Sequence, residues 1–130
     1  KKLHVIGGSD GEKSLTKNEG YMPSFSVDNG NEWQISNDLP FKCDYCSGRS
    51  LSDQMFVIAN DRIWQFSHGN QKWSEIMLNQ DQLLPSRVRS VVHPDGTLFI
   101  FGGVTTDGKL VNLAVKYRLI YTISIPNIVN

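Results

Sequence analysis

The chain has 130 residues, with 13 basic and 13 acidic side chains and a formal net charge of zero. That balance, without any run of like charge, excludes the basic footprint of a nucleic-acid binder and a charged interaction tail. No apolar stretch approaches the roughly 18 residues of a membrane-spanning helix, the residues from Lys1 on contain no signal peptide, and a start at Lys1 is compatible with processing.

In chain order, Leu3-His4-Val5-Ile6 is a short apolar run that ends in Gly7-Gly8. A turn at Asp28-Asn29-Gly30 leads to Trp33. The next stretch predicts four short strands, at 47–53, 54–59, 63–67 and 73–77, with the turn His68-Gly69-Asn70 before the last. A third stretch predicts strands at 88–93, 97–101 and 113–119, broken by Pro94-Asp95-Gly96 and a loop over 102–112. Tyr121-Thr122-Ile123-Ser124-Ile125 supplies either a fourth strand or one that closes a ring. β-Branched and aromatic residues alternating with Gly, Asn, Asp and Pro breaks are the strand and hairpin signature, and no window has helical spacing.

Three of these runs are copies of one another. Leu3 to Gly8, Met55 to Asn60 and Leu98 to Gly103 are apolar and end in two small or turn-forming residues, with offsets of 52 and 43 residues. Self-similarity at that period marks a radial repeat. The expected fold is all-β, with antiparallel four-stranded blades of a β-propeller in a single segment, 1–130, whose repeats fall near 1–40, 41–79 and 80–125. A strand in the middle of a blade is covered on both faces, which fits uninterrupted apolar runs. The first repeat begins with its second strand, so a partial blade lacking the inner strand is expected. Closed propellers use about four to eight blades. Two to three blades therefore imply a larger ring, completed by the remaining blades of a longer chain or by other copies.

The repeat details carry a family resemblance. A hydrophobic run, a Gly-Gly pair, and then Phe66 and Trp73 seven residues apart resemble the kelch repeat, with Gly7, Gly8, Gly102 and Gly103 as the glycine pairs. Ser26-Val27-Asp28-Asn29-Gly30-Asn31-Glu32-Trp33 resembles the Asp box of sialidase-like propellers, in which Ser26, Asp28, Gly30 and Trp33 form a structural turn. The mixture resembles secreted Bacteroidetes propeller domains of unknown function. It implies that Trp33 and Trp73 occupy equivalent buried sites on successive blades, and that Asp28 holds a turn rather than performing chemistry.

Few residues carry candidate chemistry. Arg49-Ser50 and Arg89-Ser90 precede successive apolar runs. On an innermost strand, Arg49 and Arg89 would either offer charge-assisted donors to an anionic or sugar ligand or brace neighbouring blades. His93, on the same predicted strand as Arg89, is a third channel-side candidate, with a satisfied turn histidine as the plainer reading. Trp64 reads as blade packing. Cys43-Asp44-Tyr45-Cys46 lacks the following helix that would depress a redox thiol's pKa, and it reads as two loop thiols or a local disulfide. His4, His68 and His93 are scattered over three repeats, so no metal site and no cofactor is expected. A sialidase-type site would need an arginine cluster, a nucleophile and an acid/base carboxylate, and the five arginines form no recognisable constellation. The functional expectation is a non-catalytic kelch-like binding module that recognises a protein or carbohydrate through its loops and channel mouth. The second reading is a propeller enzyme acting on sugars, either a sialidase-like hydrolase or a sugar epimerase or mutarotase. The expected location is secreted, periplasmic or at the cell surface, with the cytoplasm as the alternative.

Overall fold

The computed structural model describes residues 2–23, 33–77 and 84–119. Those residues contain ten strands and no helix. Strands β1 (Leu3–Ile6), β2 (Asn18–Tyr21) and β3 (Trp33–Ile35) form the first sheet, in the order β1-β2-β3. Strands β4 (Ser47–Leu51), β5 (Gln54–Ala59), β6 (Arg62–Ser67) and β7 (Lys72–Ile76) form the second, and β8 (Arg89–Val92), β9 (Thr97–Phe101) and β10 (Ala114–Arg118) the third. Every pairing is antiparallel between consecutive strands. The chain is therefore a series of blade-like meanders. The strands expected in the second and third repeats are present, with ends moved by one or two residues. Among the described residues, the first sheet starts at the strand that matches β5, with no inner strand. Ser26, Asp28, Gly30 and the 121–125 segment lie outside the described residues.

Register shows that the sheets are copies. Leu3 pairs with Tyr21, which pairs with Trp33, just as Met55 pairs with Phe66 and Phe66 with Trp73. Two cores lie between the sheets. Ile6 and Phe41 pack with Met55, Val57, Ala59 and Phe66 on the side of the second sheet that faces the first. On its other side, Ile58 and Ile63 meet Leu84, Val88, Leu98 and Ile100 of the third repeat. Alternate residues of β5 thus enter different cores, and Met55 to Ala59 are all buried. Each fully buried Ile, Leu or Phe contributes about 1.5–3 kcal/mol by leaving water. At the inner edge, β4 and β8 run side by side, joined by a buried Ser47 Oγ–Ser90 Oγ hydrogen bond of 2.7 Å.

The tryptophans share a register but not an environment. Trp73 is half-buried against Phe66, with ring centres 4.8 Å apart, and its Nε1 donates to Asn37 O at 3.1 Å. Trp33 is 54% exposed, which corrects the expectation of two buried sites. It shares its exposed face with Leu3, Val5 and Ile35, and no sheet among the described residues covers that face. The third sheet has a corresponding open face with Val91, Phe99 and Phe101.

The glycine pairs form corners. Gly7, Gly8, Gly102 and Gly103 all have positive φ, reaching +117° at Gly103, the left-handed region where a Cβ is penalised. A Cβ on Gly103 would lie 2.8 Å from Ser86 O and 2.9 Å from Pro85, so this corner seats the segment leading into β8.

Candidate functional site

The loops at one end of the sheets, where β4 and β8 begin and β5 turns into β6, enclose an open cleft. One part, of about 570 Å³, has an apolar wall of Leu84, Pro85, Val104, Val111 and Leu113, with Asn60, Asp61 and Thr105 at its rim. A second part, of about 300 Å³, shares Asn60, Asp61, Pro85 and Ser86 with the first and adds Lys42, Asp44, Tyr45 and Arg87. Apolar walls with a few convergent polar groups are the usual make-up of a binding cleft.

Local sequence builds each wall. Asn60 and Asp61 form the two-residue β5–β6 turn with φ of 51° and 63°, a conformation that Asn and Asp tolerate through their short polar side chains. Asn60 Nδ2 donates to Lys42 O at 3.3 Å, tying this turn to the adjoining loop. Cys43 and Cys46 are joined by a disulfide that closes the loop carrying Asp44 and Tyr45. Pairing of Ser86 with Val104 through two backbone hydrogen bonds, of 3.0 and 2.8 Å, fixes the far wall.

Arg87 is the most distinctive group in the cleft. Its φ is +55°, a left-handed conformation uncommon for a long side chain; such outliers concentrate at functional sites. Its guanidinium carbon lies 4.1 Å from the centre of the exposed Tyr45 ring, a cation–π contact worth about 0.5–1 kcal/mol at an exposed site. No carboxylate pairs with Arg87 among the described residues, so its donors remain available at the cleft mouth.

The residues singled out in the sequence lie elsewhere. Arg49 Nε donates to Ser90 O and Arg49 Nη1 to Gly48 O, both at 2.6 Å, so its guanidinium ties β4 to β8. Arg89 Nη1 meets Val88 O at 3.4 Å. The shared Arg-Ser register is corrected by the ladders: Arg49 pairs with Phe56, whereas Arg89 pairs with Phe101, the counterpart of Ile58. Arg89 thus matches Ser47, two residues away from the expected position. A two-residue offset keeps both arginines on the same face of their sheets. Arg49 meets the third sheet across that face, and Arg89 lies on the third sheet's open one, so the two do not converge.

His93 belongs to the β8–β9 turn at the opposite end from the cleft. Its Nδ1 lies 3.0 Å from Asp95 Oδ1, and Gly96 N donates to His93 O at 2.9 Å. Hydrogen bonds from Thr97, and then from His93, lower the Asp95 pKa to about 2. Trp64 packs on Phe41 with ring centres 4.7 Å apart. The cleft residues Tyr45 and Arg87 were not singled out from sequence. The available signal was the alternation Arg87-Val88-Arg89, which places one arginine before the strand and one on it.

No protein-family model and no curated protein matches the chain. Among solved structures, that of YjhT matches with a TM-score of 0.57 at 13% identity, over 78% of this chain and 34% of YjhT. The chain thus spans about a third of YjhT's length. At this identity the shared feature is the fold alone, a propeller-like arrangement of antiparallel sheets.

Proposed function

We propose that the chain is part of a kelch-like propeller that acts as a non-catalytic binding module, taking a protein or carbohydrate ligand in the loop cleft between the second and third sheets. One observation carries this reading: an apolar wall of Leu84, Pro85, Val104, Val111 and Leu113 stands beside the exposed Arg87–Tyr45 pair. Guanidinium donors and an aromatic ring next to apolar surface suit the alternating polar and apolar faces of a sugar, or an acidic residue followed by an apolar one. The Cys43–Cys46 disulfide favours an oxidising location, secreted or periplasmic. Further blade-like sheets, from the same longer chain or from other copies, would cover the open faces of the first and third sheets. The enzyme reading has less support, because Arg49 and Arg89 are directed to backbone carbonyls.

The test is a glycan-array and peptide-library screen with the protein, repeated with Arg87→Ala and Tyr45→Ala. Ligands retained by the wild type and lost in both variants support the cleft. Ligands bound equally by all three overturn it. NMR of the bound sugars shows hydrolysis or anomeric exchange if the protein is an enzyme.

A further inference from the structure

The first sheet has an unfilled strand position. Strands β5 and β9 are each paired on both edges, with β4 and β8 on their inner sides. Their counterpart β1 pairs with β2 alone among the described residues. Its other edge presents a row of backbone N–H and C=O groups, a template for a further strand. A groove of about 370 Å³ runs along that edge, with His4 and Ile6 on one wall and Gly48, Ser50 and Met55 on the other. Because β4 and β8 already lie side by side in neighbouring sheets, a strand added to β1 would stand to β4 as β4 stands to β8.

His4 brings an unsatisfied acceptor to this groove. Asn18 is fully buried, and its Nδ2 donates to Asn37 O at 3.2 Å. Its Oδ1 is therefore the acceptor facing His4 Nδ1, 3.0 Å away. His4 Nδ1 carries the ring proton, which leaves a lone pair on Nε2. That nitrogen is buried and has no partner among the described residues. Since Nδ1 is turned to Asn18 of β2, Nε2 lies on the side of the ring away from that strand. A hydroxyl on a strand at the other edge would supply the donor.

The chain contains a segment of matching pattern, outside the described residues. Tyr121-Thr122-Ile123-Ser124-Ile125 alternates large apolar and hydroxyl side chains, the period of a strand. From Lys116 to Ile125 there is no Gly, Asn, Asp or Pro, so the sequence offers no turn to fold this segment back along β10. Leu119 is hydrogen-bonded to Gly96 O in the third repeat. Three residues on, Thr122 lies within about 10 Å of it. The first and third sheets flank the second, and sheets pack about 10 Å apart, which separates them by roughly 20 Å. The segment therefore cannot lie along β1 of its own chain.

We propose that residues 121–125 of one copy form the inner strand of the first sheet of a second copy, antiparallel to β1, with Thr122 opposite Ile6 and Ser124 opposite His4. Directly opposed residues share a face of the sheet. Ser124 Oγ then donates to His4 Nε2, and Thr122 takes the place that Ser47 holds opposite Ile58. Ile123 and Ile125 fall opposite Val5 and Leu3, on the exposed apolar face. A one-residue slip would drive isoleucines against Gly48 and Ser50 and leave His4 without its donor.

Light scattering across a dilution series and a peptide titration test the exchange. The full chain should assemble in a concentration-dependent way. Deletion of residues 120–130, or Ile123→Pro, which cannot join a ladder from inside a strand, should give monomers; circular dichroism verifies that each keeps its β signal. A fluorescent peptide of residues 120–130 should bind the truncated chain, about tenfold more weakly as Ser124→Ala, and should shift the His4 Nε2 resonance in nitrogen NMR. A full chain that stays monomeric, an assembly that survives both changes, or a truncated chain that ignores the peptide or takes a scrambled one as readily overturns the proposal.

Discussion

Trp33 and Trp73 provide an internal comparison, because they hold the same place in successive sheets and differ in what lies over them. Truncating a buried tryptophan to alanine costs about 3–5 kcal/mol. Trp73 packs on Phe66 and donates Nε1–H to Asn37 O, a bond with a net worth of about 1 kcal/mol. Trp73→Ala should therefore cost about 3–4 kcal/mol. Trp33 keeps more than half of its surface in water; its contact is with Tyr21, at a ring separation of 5.2 Å. Scaling the transfer contribution by the area removed from water gives about 1–2 kcal/mol for Trp33→Ala. Urea titration followed by far-UV circular dichroism measures both, provided that the slopes match the wild type. Losses within about 0.5 kcal/mol of each other would show that the first sheet's open face is covered in solution.

Arg49→Ala should cost about 0.5–1.5 kcal/mol through loss of the bond to Ser90 O, and Arg89→Ala should stay within about 0.5 kcal/mol of wild type; the reverse order in urea would invalidate the bracing role of Arg49. Gly103→Ala should cost more than about 1 kcal/mol, because φ is +117° and the new Cβ meets Ser86 O, and a neutral result in thermal melts would contradict the corner geometry. The folded pKa of Asp95 is depressed from 3.8 to about 2, so its stabilisation is complete above pH 3.8 and is lost as the pH falls toward 2. Thermal melts should therefore show Asp95→Asn less stable than wild type at neutral pH, with a gap that closes across that acid window; a gap unchanged across it would count against the Thr97 and His93 hydrogen bonds.

Legibility in the sequence followed how many faces of a strand are covered. Strand β5 was plain because both faces enter a core, so Met55 to Ala59 form an unbroken apolar run. Strands β1 and β9 read identically although one face of each is open, because apolar composition records what a face is made for and not whether a neighbour lies on it. Trp33 was misjudged for that reason. Strand β2 carried no strand signal, since Asn18-Glu19-Gly20-Tyr21 is polar and contains glycine; it forms because β1 and β3 flank it and Asn18 finds partners in the interior. The arginine register was hidden by turn lengths, with two residues between β4 and β5 and four between β8 and β9. The cleft was illegible because packing, and not spacing, brings Tyr45 to Arg87.

The two open sheet faces are of opposite kinds. The one bearing Leu3, Val5 and Trp33 corresponds to the side of the second sheet that receives its predecessor, and the one bearing Val91 and Phe101 corresponds to the side that receives its successor. A contact that joins one to the other is head-to-tail and lacks a twofold axis. Such contacts have two geometric outcomes. If the angular step per copy divides the circle, they close and stop at a fixed size. Otherwise every added copy exposes the same pair of faces again, and growth continues as a filament. If copies of the chain complete the ring, a single substitution that alters the wedge between sheets, at Ile58 or Ile100 for example, would act on assembly size as well as on stability.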